Sequence, residues 1–345
     1  GIITVIAGRG TEVGEDEESG EALNVFLSNQ GNVVVMENGN ILFPDGNMIR
    51  QVTTRGAIMT VAGIGGGFFS GDRGPAIKAA INAPQSVAYM NGEIYIADTG
   101  NRRIRKVFAD GTIDTIAGTG QGGYCGDRVL AINACLINPV SVVVNSAREV
   151  FISDEDNHIV SKVDTSGIIS TFAGRQGSRG YSGDGSLATN AQLNRPRGLA
   201  INNAGELLIV DAGNNGIRKV DRFGIISTVV TGLSSPLSIN VGRDGELFIV
   251  ESDGKNQITK IDNNNLKNSV TITRTSEVLP SASDFHLPES APLAFVSSVA
   301  VLSDTELIVA DTYNHMIKKV ELNTKTFSSL TPTTLSYPRG AIIVN

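Results

Sequence analysis

Tryptophan is absent from this sequence of 345 residues, histidine occurs three times and cysteine twice. Aromatic residues make up only 5% of the chain, which argues against aromatic cages for sugars or methylated amines, because such cages need several stacking faces. His286 has a single nearby carboxylate, Asp284, which is fewer ligands than a metal site needs. The aspartate spacing lacks the EF-hand pattern, so calcium is at most a weak ligand. We therefore expect no cofactor.

Basic charge is also scarce, since the formal net charge is -7. An acidic chain argues against generic nucleic-acid binding, in which neutralisation of phosphates dominates the affinity. The densest basic run is Arg102, Arg103, Arg105 and Lys106. Strand alternation divides these side chains between two faces, so we expect them at a solvent-exposed edge. No apolar run is long enough to span a bilayer, and we expect no membrane insertion by this segment.

Short apolar runs in the middle of the chain define a repeating unit: Leu199–Ile201, Leu207–Val210, Ile217–Val220 and Ile225–Val230. Clusters of Gly, Asn and Asp separate the runs, a pattern typical of strands joined by hairpins. A four-stranded sheet cannot shield both of its faces alone, so the unit needs neighbours like itself. Six full copies of roughly 40 residues follow one another, a period typical of propeller blades. Their second and third strands lie at Gly39–Val52, Gly92–Val107, Arg148–Val163, Gly205–Val220, Gly245–Ile261 and Thr305–Val320.

Each end of the chain carries one further predicted strand. Gly1–Gly8 matches the fourth strand of a repeat and Leu335–Asn345 matches the first, so we expect them to form one split, partial repeat. Seven blades would close if the chain continues past Asn345 for about one hairpin, and six would close otherwise. No initiator methionine or signal-peptide pattern occurs at Gly1. We expect residues 1–345 to be a single propeller domain that is part of a longer chain.

An aspartate and an asparagine three positions later recur where the second strand turns into the third. The aspartate can accept backbone N–H groups in an Asx-turn, and the asparagine tolerates a positive φ. His158 and His315 occupy the position that holds Arg102 or Asn215 in other copies, which indicates turn residues rather than bases or ligands. We therefore predict structural rather than catalytic roles for Asp98, Asn101, Asp154, Asn157, Asp211, Asn214, Asp311 and Asn314.

The turn and third strand resemble the NHL repeat, most closely at Asp311–Val320 (DTYNHMIKKV) and nearly as well at Asp154–Val163. A longer pattern that accompanies many NHL repeats is present at Phe69–Pro84 and at Tyr181–Gly198. The resemblance covers nearly the whole chain and recurs in register. It implies an all-β fold, a β-propeller of four-stranded antiparallel blades, commonly six, that usually serves as a binding scaffold. Some NHL propellers bind RNA through a basic face, so a local basic patch stays open.

Homologous insertions at residues 64–83, 119–138 and 175–195 separate the fourth strand of one blade from the first strand of the next. Each has a Gly-rich start, an aromatic residue, a Gly-Asp pair and a short Ala-rich segment. Equivalent connections should emerge on one face as a crown, and loops on a rigid scaffold commonly carry function. Alternatively the loops are structural, with the aspartate capping a short helix and the aromatic covering a blade junction. The candidate contact residues are Phe68, Phe69, Asp72, Tyr124, Asp127, Tyr181 and Asp184.

Both cysteines lie in the middle insertion. Cys125 and Cys135 occupy the positions that hold Ser70 and Ala80 in one other insertion and Ser182 and Gln192 in the remaining one. Because two positions change to cysteine together, we predict a Cys125–Cys135 disulfide, which would indicate an oxidising compartment. The alternative is two reduced thiols. No Asn-X-Ser/Thr sequon occurs, which suits an unglycosylated extracellular protein or a cytosolic one.

Several functions are compatible with these features. The first is a non-enzymatic scaffold, extracellular or surface-exposed, that binds another protein or another copy of itself and no nucleic acid. The second is the ligand-sensing propeller of a larger receptor or kinase. The third is an enzyme with a metal in the central channel, for which propeller enzymes of similar fold use converging histidines. With three histidines and no Gly-x-Ser-x-Gly elbow, we favour the first, with a cytoplasmic location still open.

Overall fold

Each sequence repeat folds into one antiparallel sheet, because its β-branched runs pair across tight turns. The computed structural model describes residues 2–10, 19–123, 125–252, 257–262, 265–273 and 293–322. In this part of the chain six such sheets, which we call blades 1 to 6, form an all-β propeller. The first strand of each blade lies at the centre of the ring and the fourth lies toward the outside.

The blades follow one another around the ring in chain order. Strand β1 (Ile3–Ala7) precedes them all in the chain. Blade 1 contains β2 (Ser19–Glu21), β3 (Val34–Val35), β4 (Ile41–Asp45), β5 (Met48–Val52) and β6 (Ala57–Ala62); blade 2 contains β7 (Gly74–Pro75), β8 (Ser86–Met90), β9 (Glu93–Asp98), β10 (Arg103–Val107) and β11 (Thr112–Ala117); blade 3 contains β12 (Val129–Leu130), β13 (Pro139–Val144), β14 (Val150–Asp154), β15 (Ile159–Val163) and β16 (Ile168–Ala173). Blade 4 contains β17 (Pro196–Ile201), β18 (Leu207–Asp211), β19 (Gly216–Val220) and β20 (Ile226–Val230); blade 5 contains β21 (Pro236–Val241), β22 (Leu247–Glu251), β23 (Gln257–Asp262) and β24 (Asn265–Thr273); blade 6 contains β25 (Val296–Ser303), β26 (Glu306–Asp311), β27 (Met316–Glu321) and β1.

Short 3-10 turns are the helical elements of the described residues. They lie at Ala22–Asn24, Ala76–Lys78, Thr99–Asn101, Ala131–Asn133, Glu155–Asn157, Ala188–Asn190, Ala212–Asn214 and Thr312–Asn314. Within the described ranges, no helix combines the length and apolar character that crossing a membrane requires.

The hydrophobic core lies between neighbouring blades rather than within any one blade. Ile104 of blade 2 packs in one buried cluster with Val142 and Ile152 of blade 3. An equivalent cluster joins Ile317 of blade 6 to Phe43 of blade 1, so the ring is closed. The first strands surround a central channel, a cavity of about 730 Å³ that residues from all six blades line.

Strand β1 closes the ring by completing blade 6. It pairs antiparallel with β27, with Ile3 opposite Val320 and Val5 opposite Lys318. The expectation that Gly1–Gly8 shares a further blade with Leu335–Asn345 is therefore wrong for the first of these strands, because β1 is the outer strand of blade 6 in the part of the chain that the structure describes. Leu335–Asn345 lies outside the described residues. The six-bladed alternative is the one that the described residues form.

Candidate contact surface on the inserted loops

A carboxylate at the end of the second strand of each blade holds the segment that leads into the first strand. Asp98 accepts the Asn82 N–H at 2.8 Å, and Asp211 accepts the Asn194 N–H at 2.7 Å. The residue that donates to the carboxylate lies 16 or 17 positions earlier in the chain, so the carboxylate does not form the Asx-turn that we expected. The equivalent carboxylates in the other blades are Asp45, Asp154, Glu251 and Asp311.

The asparagine three positions later binds this carboxylate. The Asn101 side-chain amide donates to Asp98 at 2.9 Å, and the same bond joins Asn157 to Asp154, Asn214 to Asp211 and Asn314 to Asp311. We expected a positive φ at the asparagine, and this is wrong. The asparagine is the last residue of a 3-10 turn, so the left-handed residue that leaves the turn is the next one. These residues are Arg102, His158, Asn215 and His315, with φ of 53°, 60°, 54° and 54°.

The turn histidines link one blade to the next. His158 Nδ1 accepts the Arg195 N–H at 3.1 Å, and His315 Nδ1 lies 2.6 Å from the Ser28 carbonyl oxygen. Burial lowers the pKa of His158, which favours the neutral imidazole that can accept this bond. Both contacts cross to the segment that leads into the following blade. The two histidines thus serve the blade junctions.

The inserted loops, which we call the rim loops (residues 64–83, 119–138 and 175–195), lie along the outer edges of the blades. In the first loop, β7 pairs with Thr112–Ile113 of β11, and in the second, β12 pairs with Ile168–Ile169 of β16. The third loop makes a bridge between Leu187 and Ile225. Each loop therefore also covers the outer sheet edge of the blade that follows, a contact that the expected crown did not include.

A buried arginine fastens the first rim loop to blade 2. The Arg105 guanidinium is fully buried and donates to the carbonyl oxygens of Ser70 and Ala80 at 3.0 and 2.9 Å. It forms an ion pair with Asp72 at 2.5 Å and lies 3.9 Å from Asp98. We expected Arg105 at a solvent-exposed edge, and this is wrong, because the rim loop folds over the strand that carries it.

Blade 4 repeats this arrangement. Arg218 donates to the carbonyl oxygens of Ser182 and Gln192 at 3.1 and 3.4 Å. It pairs with Asp184 at 2.6 Å and with Asp211 at 3.5 Å. The 3-10 turns of these two loops have no side-chain cap, so the alternative in which the aspartate caps a short helix is wrong.

Blade 3 carries a disulfide instead. Cys125 and Cys135 are bonded as predicted, with their Cα atoms 5.1 Å apart. The position equivalent to Arg105 and Arg218 is held by Ser161. Asp127 accepts the Thr171 N–H of the outer strand at 2.7 Å, as Asp184 accepts the Thr228 N–H in blade 4.

Two aromatic side chains of the rim loops, Phe69 and Tyr181, stack on arginines and stay exposed. The Phe69 ring centroid lies 3.7 Å from the Arg103 guanidinium carbon, and the Tyr181 centroid lies 5.1 Å from that of Arg218. The Tyr181 hydroxyl lies 2.8 Å from the Thr228 hydroxyl. Phe68 is 57% exposed and Tyr181 is 54% exposed. Tyr124, the predicted aromatic of the second loop, lies outside the described residues.

The carboxylates of the site differ in their pKa. Burial raises the pKa of Asp98 to about 6, against which the bonds from Asn101 and Asn82 act. Burial acts in the same direction on Asp184, but hydrogen bonds from Thr228 and the charge of Arg218 hold its pKa below the ordinary value. Asp184 is therefore an ionised partner of the arginine near neutral pH.

The central channel has a mainly apolar, amide and hydroxyl lining. Arg197 is the charged side chain among the described residues that line it. Its guanidinium is 3.2 Å from Glu155, a buried carboxylate that also pairs with Arg195 at 3.0 Å. The described ranges contain no cluster of three or more His, Cys, Asp or Glu side chains that could hold a metal ion. Sequence reasoning did not anticipate this Glu155 pairing, because nothing local marks it.

Comparisons with known proteins agree with this geometry. Residues 177–232 match the family model described as the Teneurin NHL domain. Teneurin-4 of Mus musculus is 26% identical over 273 residues, which cover 70% of this chain and 10% of the relative. The Arabidopsis thaliana protein SUPPRESSOR OF QUENCHING 1, chloroplastic, is 26% identical over 280 residues, which cover 71% of this chain and 25% of that protein. The chain thus matches a minor part of each relative.

Solved structures share the architecture. A streptogramin B lyase matches with a TM-score of 0.55 and 18% identity, over 87% of this chain and 96% of that chain. A gluconolactonase from Xanthomonas campestris matches with a TM-score of 0.55 and 14% identity, over 86% of this chain and 87% of that chain. At these identities the likeness shows the fold alone.

Proposed function

Because this chain is a β-propeller built from NHL repeats, we propose that it is a non-enzymatic scaffold that binds another protein, or a second copy of itself, through the rim loops. The observation that carries the proposal is a set of exposed aromatic residues on loops that buried arginines fasten to the blades. Phe68 and Tyr181 expose more than half of their surface although their loops are fastened from below by Arg105 and Arg218.

Rigid aromatic and arginine side chains suit protein recognition. Tyrosine and arginine are enriched among the residues that dominate interface energies, and phenylalanine is enriched at interface cores. A surface whose side chains are already ordered loses less conformational entropy on binding. The stacking of Phe69 on Arg103 and the bond from Tyr181 to Thr228 provide this order before a partner arrives.

The wall of the central channel supports a non-enzymatic role. Its charged residue, Arg197, is already engaged by Glu155, which leaves the described lining to apolar, amide and hydroxyl groups. Such a wall offers no obvious general acid or base. We propose that the protein needs no cofactor and binds no nucleic acid, in keeping with its net charge of -7.

The disulfide supports an extracellular or cell-surface location. Disulfides persist in oxidising compartments and are rare in the reducing cytosol. Mass spectrometry of the protein from its native source, alkylated before any reductant is added, tests this location. Free Cys125 and Cys135 in that sample would favour the cytosol.

Site-specific photo-crosslinking tests the binding surface. We would replace Phe68 and Tyr181 singly with the photoreactive amino acid p-benzoylphenylalanine, which keeps an aromatic ring, and use Ala147 as the control. Ala147 is exposed and lies in the turn between β13 and β14, away from the rim loops. We expect a discrete adduct from both rim positions, at least about tenfold above the control, as suits a localised interface.

The sample in which the crosslinked adduct forms distinguishes the two classes of partner. A dimer-sized adduct from the purified protein alone identifies a second copy, and an adduct found only with the native extracellular fraction identifies another protein. Equal yields at Phe68, Tyr181 and Ala147 would overturn the proposal. A stoichiometric metal retained through dialysis, found by elemental analysis, would support the central-channel enzyme instead.

A further inference from the structure

The three rim loops are fastened at the same two positions by different chemistry. Arg105 binds the carbonyl oxygens of Ser70 and Ala80 in the first loop. Arg218 binds those of Ser182 and Gln192 in the third loop. The equivalent positions of the second loop are Cys125 and Cys135, which are bonded to each other. The arginine position is Ser161 there, so the disulfide stands where the guanidinium is missing.

The remaining contacts of blade 3 do not replace the hydrogen bonds that Arg105 and Arg218 make to the other two loops. Asp127 is exposed and accepts the Thr171 N–H, whereas Asp72 and Asp184 also pair with an arginine. Asp154 is fully buried and receives hydrogen bonds from the backbone N–H groups of Ile137 and Asn138 and from Asn157. Among the described residues no cation pairs with it, in contrast to the equivalent carboxylates of blades 2 and 4.

One half of the second loop is anchored independently of the disulfide. Ala131, Ala134 and Leu136 are buried in the cluster between blades 2 and 3. The Gly118 N–H donates to the Ala131 carbonyl at 2.9 Å, and the Thr119 N–H donates to the Ala134 carbonyl at 2.8 Å. Cys135 lies within this anchored half, between Ala134 and Leu136. Cys125 lies in the other half, at an exposed position that a reductant can reach.

We propose that the redox state of Cys125 and Cys135 controls whether the second rim loop stays attached to blade 3, whichever partner the rim loops bind. A soluble dithiol is the reductant: its thiolate attacks one sulfur of the bridge and expels the other cysteine as a thiolate, and its second thiol then attacks the mixed disulfide and expels the remaining cysteine. Two cysteine thiols and the oxidised dithiol result, so two electrons pass to the protein. Residues 125–130 then leave the blade, and the Ile168–Ile169 edge of β16 loses its pairing with β12. The first and third loops stay fastened, because guanidinium groups are insensitive to thiols.

Hydrogen–deuterium exchange of the intact protein, with and without dithiothreitol, tests the gate. The chain has two cysteines, so the reductant acts at this bridge alone. We expect exchange in peptides covering residues 125–130 to rise roughly 100-fold on reduction, as suits the loss of a short-loop disulfide. Peptides covering residues 131–138, 64–83 and 175–195 should keep their rates. Unchanged exchange at 125–130 in the reduced protein, or equal loosening of all three loops, would overturn the proposal.

Variants can replace the disulfide with an arginine, the group that fastens the other two loops. Cys125→Ser with Cys135→Gln reproduces the residues of the third loop and should show the open exchange rate without reductant. Adding Ser161→Arg to this pair supplies the missing guanidinium and should restore protection that dithiothreitol no longer removes. Arg218→Ser is the matched control, since it should open residues 182–187, the equivalent of 125–130, in either redox state. If the triple variant does not fold, the reduced wild-type protein still decides the question.

Discussion

Replacing Asp154 with asparagine should destabilise blade 3, although the two side chains have the same shape. The buried carboxylate accepts hydrogen bonds from Asn138 N–H at 2.8 Å, Ile137 N–H at 3.0 Å and Asn157 Nδ2 at 2.7 Å. An amide has one oxygen, so its NH₂ group would face two of these donors. Each bond to a charged acceptor contributes about 1.5–3 kcal/mol. Burial raises the pKa of Asp154, which means that removing the charge offsets part of this loss.

We expect a net loss of about 2–3 kcal/mol in the free energy of unfolding, measured by guanidinium denaturation with the disulfide intact. Asp156→Asn is the matched control, because Asp156 is exposed and should change stability by less than about 0.5 kcal/mol. The double variant Asp154→Asn with Asn157→Asp places an acceptor opposite the new amide and should recover about 1 kcal/mol. An Asp154→Asn protein as stable as the control would refute this account of the turn.

Three further changes follow from the same contacts. Burial raises the pKa of Asp98 from 3.8 to about 6, so its favourable contribution to stability is complete below pH 3.8 and is lost as the pH rises through 6. Relative to Asp98→Asn, wild type should lose about 2–3 kcal/mol in the free energy of unfolding between about pH 4 and pH 7, measured by urea titration. A difference that stays constant over this range would contradict this. Arg218→Met leaves the buried carboxylate of Asp211 and the exposed one of Asp184 without their cation and should cost about 3–5 kcal/mol in the same assay, whereas exposed Arg222→Met should cost almost nothing. Gly174→Ala should reduce the thermal midpoint far more than Gly177→Ala, since both have positive φ but only the first would place a methyl group against a backbone carbonyl of the neighbouring turn; similar midpoints would argue against this close approach.

The strands and their grouping into blades could be predicted from the sequence because the information is local. Leu207–Val210 and Ile217–Val220 were expected as strands and lie within β18 and β19. Short apolar runs bounded by turn residues specify strands without reference to distant parts of the chain. The pairing of β1 could not be predicted, because its pattern indicates a strand but does not say which sheet has a free edge.

The arginine clamps escaped prediction for a similar reason. Alternation assigns Arg105 to a face of its strand but does not show that a loop about 35 positions earlier folds over that face. A signal did exist in the repeats. Loops with a serine at the Cys125 position are followed by an arginine in the third strand, and the loop with cysteines is followed by Ser161. That exchange of residue types links each loop to the strand that it covers.

The pairing of β1 with β27 sets the order in which this ring can be assembled. Ile3 lies opposite Val320, so nearly the whole described chain must leave the ribosome before the seam can form. Until then Phe43 of blade 1 lacks the blade 6 neighbours of its cluster. An exposed apolar flank of this kind is prone to aggregation during translation. Completion of blade 6 is therefore the step that ends the exposure of this flank.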